Sequence, residues 1–260
     1  MIFIVSKKKM SSITYILGYW KIPRNPKRNL TYYKNIMLNT LERLKGKHVV
    51  FFYDDNEIFE HINPLNSGGH KIFLMKYLIE DLPTFDICKD LLNSCKNQDL
   101  SRYTIKDIEK EKGYVHYNRD YKLSDDNTYH KIITVWTSKL FLIEKIMDLN
   151  PCKTDNFAWI DASATRFNVR QKFYETFKQG SINAINTSMQ YNGERMFHGA
   201  TIMIADSETW SWLIPLFKTK LDEVKHSRYA HDEETIMYLI YKEDPERFVK
   251  ILTMEQEGVR

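Results

Sequence analysis

Asp161 is the residue whose setting in this sequence most clearly indicates chemistry. Four apolar residues at 157–160 run directly into it, and three small residues at 162–164 follow. Such a run is typical of a buried strand, so the carboxylate should emerge at the edge of a sheet with space beside the backbone. A lone acid there commonly binds a divalent cation or a ligand hydroxyl. A solvated aspartate that simply ends a strand is the alternative.

Two other acidic segments lie where predicted elements end or begin. Asp54 and Asp55 end the strand-like run "KHVVFFYDD", and "HDEE" at 231–234 opens the helical pattern "DEETIMYLIYKED". Both have structural explanations, because Asp54 and Asp55 suit a turn and Asp232 suits a helix N-cap. Ligands of open α/β sheets bind outside the carboxyl ends of the strands, so these acids are also candidates for one site.

The elements that must position these acids alternate between strands and helices. "SITYILGYW" and "KHVVFFYDD" predict strands on either side of the helix "TYYKNIMLNTLERLKG", which Gly46 can end, and "MIFIV" predicts an earlier strand. "TVWTSKLFLIEKIMDLNP" predicts a helix capped by Thr137 or Ser138 and ended by Pro151. Strands follow at "FAWID", "SINAINTS", "GATIMIAD" and "ERFVKILTM", with the helix "SETWSWLIPLFKTKLDEV", which Pro215 should kink or split. This order predicts an α/β fold.

The segment from about 56 to 126 is less regular. "HKIFLMKYLIEDL" and "SRYTIKDIEKEKG" predict helices, and the connections around them are long and polar. We therefore expect one domain over residues 1–260 with an insertion or lid at about 56–126.

Composition narrows the class of protein. The chain has 260 residues, 43% of them hydrophobic, which is enough for a sizeable core, and no segment long enough to cross a membrane. Its three cysteines form no paired metal motif, and no signal peptide is evident, so we expect a soluble cytoplasmic protein.

The net charge of +4 is spread along the chain, with short runs "SKKK" at 6–9 and "PRNPKR" at 23–28. A nucleic-acid binder would usually concentrate such charge, so a nucleic-acid partner is not expected.

Several motifs in order resemble the HtrL/YibB family of proposed glycosyltransferases. They are "VWTSKLFLIEK", "FAWIDASATRF", "FHGATIMIADSETW" and "HDEETIMYLIY", and the likeness covers most of the chain but is weakest at 56–126. The resemblance implies a GT-A-like (Rossmann-like) fold with a mostly parallel sheet flanked by helices. It also implies a nucleotide-sugar donor, a hydroxyl acceptor on a glycan, protein or other molecule, and Mn²⁺ or Mg²⁺ beside the diphosphate leaving group.

The resemblance assigns donor-side roles to particular residues. Asp161 and His231 would hold the metal, although Ser163 replaces the second acid of the usual Asp-x-Asp pair and is a poorer ligand for a hard cation. Positive charge at the departing diphosphate would stabilise the transition state. Lys139 would supply part of it, and Tyr19 and Trp20 would stack on the base. Core packing explains these two aromatic residues equally well.

On the acceptor side, His198 and Gly199 of "FHGA" would lie where the two sugars meet. Asp232 or Glu233 would remove the proton of the acceptor hydroxyl. Their side chains point about a quarter-turn apart on a helix, so only one can serve. Asp232 is preferred, because the N-terminal position should aim it outward at the edge of the sheet.

Three other function classes stay open. A nucleic-acid-processing protein would also use acids at strand ends, and its affinity would fall steeply with salt. A methyltransferase is another α/β enzyme, but only Gly18 lies near the first strand and no glycine-rich loop follows it. A non-catalytic relative that binds a nucleotide sugar would tolerate the loss of the second motif acid.

Overall fold

The computed structural model describes residues 12–25, 27, 29–98, 108–167 and 177–251. The predicted strand at "MIFIV" lies outside these ranges. The described strands are β1 Ile13–Tyr19, β2 His48–Tyr53, β3 Lys71–Lys76, β4 Asn156–Ile160, β5 Ile182–Ile185, β6 Gln190–Tyr191, β7 Glu194–Arg195, β8 Ile202–Asp206 and β9 Phe248–Ile251. The α-helices are α1 Leu30–Arg43, α2 Asn56–Ile62, α3 Ile87–Lys96, α4 Lys112–Val115, α5 Asp126–Thr137, α6 Lys139–Leu149, α7 Ser207–Val224 and α8 Glu233–Glu243.

Seven strands form one sheet in the order β3-β2-β1-β4-β8-β5-β9. The pairs among β3, β2, β1 and β4 are parallel, as is β5 with β9, whereas β8 runs antiparallel to both neighbours. The strands β6 and β7 form a separate hairpin. The predicted α/β fold with a mostly parallel central sheet flanked by helices is confirmed.

Apolar side chains on alternate positions of the central strands build a core on each face of the sheet. In β1, Ile16 packs with α5, α6 and α7 on one face, while Tyr15 and Leu17 pack with α1 and α2 on the other. Burial on both faces explains why the central strands are continuous apolar runs. The carboxyl ends of β1 and β4 are therefore held rigidly between two packed layers.

The prediction of a helix at "HKIFLMKYLIEDL" is wrong. Residues Lys71–Lys76 form the edge strand β3, paired in register with β2, and only Ile79–Asp81 form a short 3-10 helix. The side chain of Asn66 bonds both the N–H and the C=O of Ile72, which holds the start of the strand. Ile72 is buried while Phe73 is 53% exposed. A short apolar run is compatible with either a helix or a strand, and pairing with β2 therefore decided in favour of the strand.

Two other helix predictions need adjustment. Residues 101–107 of "SRYTIKDIEKEKG" lie outside the described part of the chain, and the remainder forms a 3-10 turn and the four-residue α4 rather than a long surface helix.

Pro215 does not split its helix, since α7 is continuous across it. The ring lies on the exposed face, where the carbonyl that loses its partner can turn to water. No helix in the described ranges is long and apolar enough to span a membrane.

Substitution of Gly18 by alanine should destabilise the fold. A Cβ atom at this position would lie 2.4 Å from the ring of Trp20, which is 4% exposed and stacked on Phe52. We expect a loss of about 1–3 kcal/mol in the free energy of unfolding, the usual cost of overpacking a core. Urea denaturation of the variant beside Gly68→Ala, where no atom lies within 4 Å of the added Cβ, would measure the difference.

Candidate functional site

The sheet has a topological switch point between β1 and β4. From β1 the chain continues through β2 and β3 on one side, and β4 pairs with the other side. A crevice outside the carboxyl ends of two such strands is the usual ligand site of open α/β sheets. Asp161 follows β4 directly, and its side chain is 20% exposed. Its predicted position at the sheet edge is therefore where the fold favours a ligand.

A buried lysine joins Asp161 to the "HDEE" segment. Lys139 Nζ lies 2.8 Å from Asp161 Oδ1 and 2.7 Å from Glu233 Oε1. Lys139 is the first residue of α6 and Glu233 the first of α8, so two helix N-termini and one strand end converge here. The sequence analysis predicted that Asp161, Lys139 and Glu233 lie at one site. The structure shows that they form a single chain of ion pairs.

The charges in this chain depend on one another. A lysine in the first helical turn opposes the helix dipole and burial disfavours its charge, yet the two carboxylates raise the pKa of Lys139 above its usual value. Burial alone would raise the pKa of Asp161, but Lys139 and Arg166 outweigh it and hold that pKa below its usual range. Asp161 Oδ1 also accepts a hydrogen bond of 2.8 Å from Trp159 Nε1.

Glu233 differs from the other acids of the site. Burial raises its pKa, and the charges of Asp232 and Glu234 add to this, so Lys139 only partly opposes the rise. Its Oε2 is buried and has no hydrogen-bond partner among the residues that the structure describes. Buried carboxylate oxygens are normally satisfied, so an unpartnered one marks a place for a proton or a ligand group.

Asp232 is paired on both of its carboxylate oxygens, and its predicted role as the base stays a prediction. Its Oδ1 accepts from Thr235 N at 2.9 Å in a capping box, and its Oδ2 lies 2.6 Å from His116 Nε2 and 3.2 Å from Lys112 Nζ. The residue is 2% exposed, so the expectation that it points outward is wrong. Burial would raise its pKa, but Lys112 and His116 hold the pKa well below the usual range.

Gly199 allows Glu234 to approach the backbone. Ala200 N donates to Glu234 Oε1 at 2.9 Å, and a Cβ on Gly199 would lie 3.0 Å from that same oxygen. Lys112 pairs with the other oxygen of Glu234. Gly199 thus has a packing role beside α8. Its predicted role at the sugar stays a prediction.

The two histidines that the sequence singles out are buried and neutral. Burial lowers the pKa of His198 to about 4, its ring stacks on Phe248 at 5.1 Å, and neither ring nitrogen has a partner among the described residues. Burial likewise lowers the pKa of His231 to about 4, and its Nδ1 lies 3.2 Å from Thr235 Oγ1. The predicted sugar and metal contacts of these two residues stay predictions.

The aromatic pair at the end of β1 divides into a core residue and a half-exposed one. Trp20 donates its indole N–H to Tyr77 O at 2.8 Å and packs in the core. Tyr19 is half-buried and lies 5.3 Å from Tyr33, ring centroid to ring centroid. Of the two residues predicted to stack on a base, only Tyr19 presents part of its ring at the surface.

The residues around Asp161 do not fit a divalent cation in this arrangement. Asp161 already faces Lys139, and its Oδ2 lies 3.8 Å from Arg166 Nη2. Ser163, the residue in place of the second motif acid, accepts a hydrogen bond from Arg166 through its Oγ. Within the described ranges, no three His, Cys, Asp or Glu side chains are grouped to hold a metal. A cation at Asp161 would meet two positive side chains, Lys139 and Arg166, whose charges Asp161 and Glu233 already balance.

Sequence reasoning missed a second ionic network beside α8. It is built from Lys27, Lys112, His116, Arg119 and Asp120, with Asp232 and Glu234. "HYNRD" at 116–120 gathers three of these residues within five positions, and Lys27 belongs to the short basic run "PRNPKR" at 23–28. Beside Arg166 a groove of about 570 Å³ opens between α1 and residues 164–167.

Comparisons with known proteins give limited information. No family model and no curated protein matches the sequence. Among solved structures, the chain is similar to mouse xyloside xylosyltransferase 1 in its apo form, with 13% identity and a TM-score of 0.48 over 92% of this chain and 85% of that chain. The resemblance to the HtrL/YibB family stays a prediction.

Proposed function

We propose that this protein transfers a sugar from a nucleotide-sugar donor to a hydroxyl acceptor, with Asp161, Lys139 and Glu233 as its reaction centre. One observation carries the proposal. At the switch point of the sheet, Lys139 joins the strand-end carboxylate of Asp161 to Glu233, one oxygen of which has no partner within the described part of the chain. The motif order that resembles the HtrL/YibB family supports the same activity.

Asp161 is the group that binds the donor. Its Oδ2 accepts a hydrogen bond from a hydroxyl of the donor, while Oδ1 stays bonded to Trp159 and Lys139. A carboxylate fixed in this way loses little rotational freedom when the ligand binds, which favours both affinity and orientation. Because the residues here do not fit a metal, the roles below belong to side chains alone.

Glu233 is the general base. As the acceptor oxygen bonds to the anomeric carbon, the bond from that carbon to the diphosphate oxygen breaks, and its electron pair leaves with the diphosphate. The acceptor proton passes to Glu233 Oε2. A base works best when its pKa is near the working pH, and the raised pKa of Glu233 suits this role better than the strongly lowered pKa of Asp232. Oε2 is covered in the present structure, so the acceptor must uncover it on binding.

Substitution of Asp161 by asparagine should weaken donor binding and turnover. Hydrogen bonds to charged groups contribute about 1.5–3 kcal/mol, so we expect roughly 10- to 100-fold weaker binding of the donor. A thermal-shift panel of nucleotide sugars, each with and without Mn²⁺, would first identify the donor. Titration of both proteins with it and a transfer assay would then measure the loss.

Asp206→Asn is the matched control. Asp206 ends β8, which runs antiparallel to β4, so it lies at the opposite edge of the sheet. It caps α7 through Thr209 N, and asparagine caps helices equally well. This variant should keep wild-type donor binding. Full activity of the Asp161→Asn protein would contradict the proposed function.

A non-catalytic nucleotide-sugar binder is the second candidate. Ser163 in place of a motif acid and the ion pair of Asp161 favour it. Both candidates predict that the donor stabilises the protein, but only the enzyme releases nucleoside diphosphate from it. Measurement of diphosphate release, with and without a panel of acceptors, separates the two.

A further inference from the structure

Asp120 is a fully buried carboxylate surrounded by three cationic groups. Arg119 binds it through Nε and Nη2 at 2.9 and 2.8 Å, His116 Nδ1 lies 2.9 Å away, and Lys27 Nζ lies 3.6 Å away. Burial would raise the pKa of Asp120, but these partners hold it far below the usual range. One negative charge therefore faces more positive charge than it can neutralise.

The surplus persists when the whole network is counted. The same His116 bonds Asp232, and Lys112 pairs with both Asp232 and Glu234. Burial would lower the pKa of His116, but Asp232 and Asp120 outweigh burial and raise that pKa above its usual value, which favours the charged imidazole. Among the described residues, the network then holds four basic groups, Lys27, Lys112, His116 and Arg119, and three carboxylates, Asp120, Asp232 and Glu234.

The surplus charge reaches solvent beside the proposed reaction centre. The side chains of Lys27, Arg119 and Arg166 are 26%, 52% and 37% exposed, whereas those of Lys112 and His116 are only 12% and 3% exposed. Burial lowers the pKa of Lys27 to about 8; Asp120 opposes this, and the charges of Arg119, Lys112 and Arg166 lower it further. The charge of Arg166 acts on Lys27, and Arg166 Nη2 also faces Asp161 Oδ2 at 3.8 Å.

We propose that Lys27, Arg119 and Arg166 form a binding site for the diphosphate of the donor and hold it without a divalent cation. The inference rests on the proposed function, and it names the groups that take the place of the metal. Arginine forks match phosphate oxygens in pairs, and the buried carboxylate Asp120 fixes the guanidinium of Arg119 in advance. The same cations stabilise the negative charge that develops on the departing diphosphate.

The three cations come from distant parts of the chain. Lys27 follows β1, Arg119 lies in the π-helical segment His116–Tyr121, and Arg166 follows β4. Lys27 also lies over the ring of Trp136 at 4.0 Å, which keeps its ammonium at the site. Asp161 and the cations therefore offer one carboxylate for a hydroxyl and several donors for phosphate oxygens, the pattern that a nucleoside diphosphate linked to a sugar requires.

Titration of the full chain with inorganic pyrophosphate and with a panel of nucleoside diphosphates, in buffer containing EDTA, tests the inference. We expect binding by calorimetry in EDTA, with Lys27→Gln and Arg166→Gln each weakening it about tenfold or more, as the loss of a charge-assisted hydrogen bond does. Lys225→Gln and Arg247→Gln are matched controls. Their side chains are 25% and 42% exposed and each pairs with one aspartate on another surface.

Two results would overturn the inference. One is that pyrophosphate and the diphosphates bind only when Mn²⁺ or Mg²⁺ is added. The other is unchanged affinity in both variants. If Lys27→Gln does not fold, Lys27→Met and the Arg166→Gln variant still provide the measurement, because Arg166 is only loosely paired with Asp161.

Failure of the proposed function gives a different pattern. If sugar transfer occurs but is abolished by EDTA, the function stands and the metal-free site is wrong. If pyrophosphate binds in EDTA through Lys27 and Arg166 but no nucleotide sugar is consumed, the anion site stands and the transferase is wrong.

Discussion

Replacement of Glu233 by glutamine is expected to reduce sugar transfer by about 10²- to 10⁴-fold, the usual contribution of a general base. Glutamine keeps the size and keeps an oxygen for Lys139, which binds Glu233 Oε1 at 2.7 Å, but it cannot take a proton. Donor affinity should stay close to that of the wild type, because Asp161 and the cations that face it are unchanged. Initial rates and donor titrations on the same preparation would separate these effects.

The pH profile adds a second readout for Glu233. A base acts when it is ionised. The rate of the wild-type protein should therefore be low at pH values below the pKa of Glu233 and should increase as the pH rises through that pKa. Burial raises that pKa, so the acidic limb should lie above the pH at which an exposed glutamate titrates. The glutamine variant should lose this limb along with the rate.

Glu243→Gln is the control for this experiment. Glu243 ends the same helix, is 56% exposed and pairs with Lys220 far from the site. It should leave both the rate and the pH profile unchanged. A Glu233→Gln protein with wild-type turnover would assign the base to another group, and the Asp161 and Lys139 contacts would then serve binding only.

Replacement of Lys139 by alanine is expected to produce the largest loss of stability. The substitution leaves the buried carboxylate of Glu233 without its partner. It also removes the cation that lies between Glu233 and Asp161. Breaking a buried ion pair by removal of one partner costs about 3–5 kcal/mol in the free energy of unfolding. Urea denaturation monitored by tryptophan fluorescence would measure it, since Trp159 lies at the same site.

The pH dependence of this loss follows from the carboxylates that remain. Without Lys139, the folded-state pKa of Glu233 should lie further above its unfolded value, because Lys139 no longer opposes burial and the charges of Asp232 and Glu234. Such groups contribute stability at low pH and lose that contribution as the pH rises through the folded pKa. The difference from wild type should therefore be smaller in acidic than in alkaline buffer.

Lys218→Ala is the matched control. Lys218 Nζ lies 2.7 Å from both carboxylate oxygens of Glu144, but the two side chains are 41% and 37% exposed. An exposed ion pair contributes only about 0–1 kcal/mol, so this variant should stay near wild-type stability. If both variants lost the same small amount, the Lys139 chain would be no more than a surface-like ion pair.

The sequence predicts the sheet and the position of Asp161 well, because the signals are local. Burial on both faces of the sheet requires continuous apolar runs in β1, β2 and β4, and a polar residue that follows such a run must leave the sheet at its edge. The N-cap role of Asp232 is also local, since its partner Thr235 lies three residues away. These features depend on backbone geometry that a few neighbouring residues determine.

The assignment of roles within the site needed the tertiary structure. His116 and Asp232 meet across 116 positions of the chain, and their contact makes Asp232 a fully paired structural acid. Glu233, one residue along, points instead at Lys139, and its other oxygen has no partner in the ranges that the structure describes. Pairing with β2 likewise turned the expected helix at 71–76 into a strand. Periodicity and capping act over a few residues, whereas ion pairs and strand pairing depend on which distant elements the packed core brings together, and no local pattern records that.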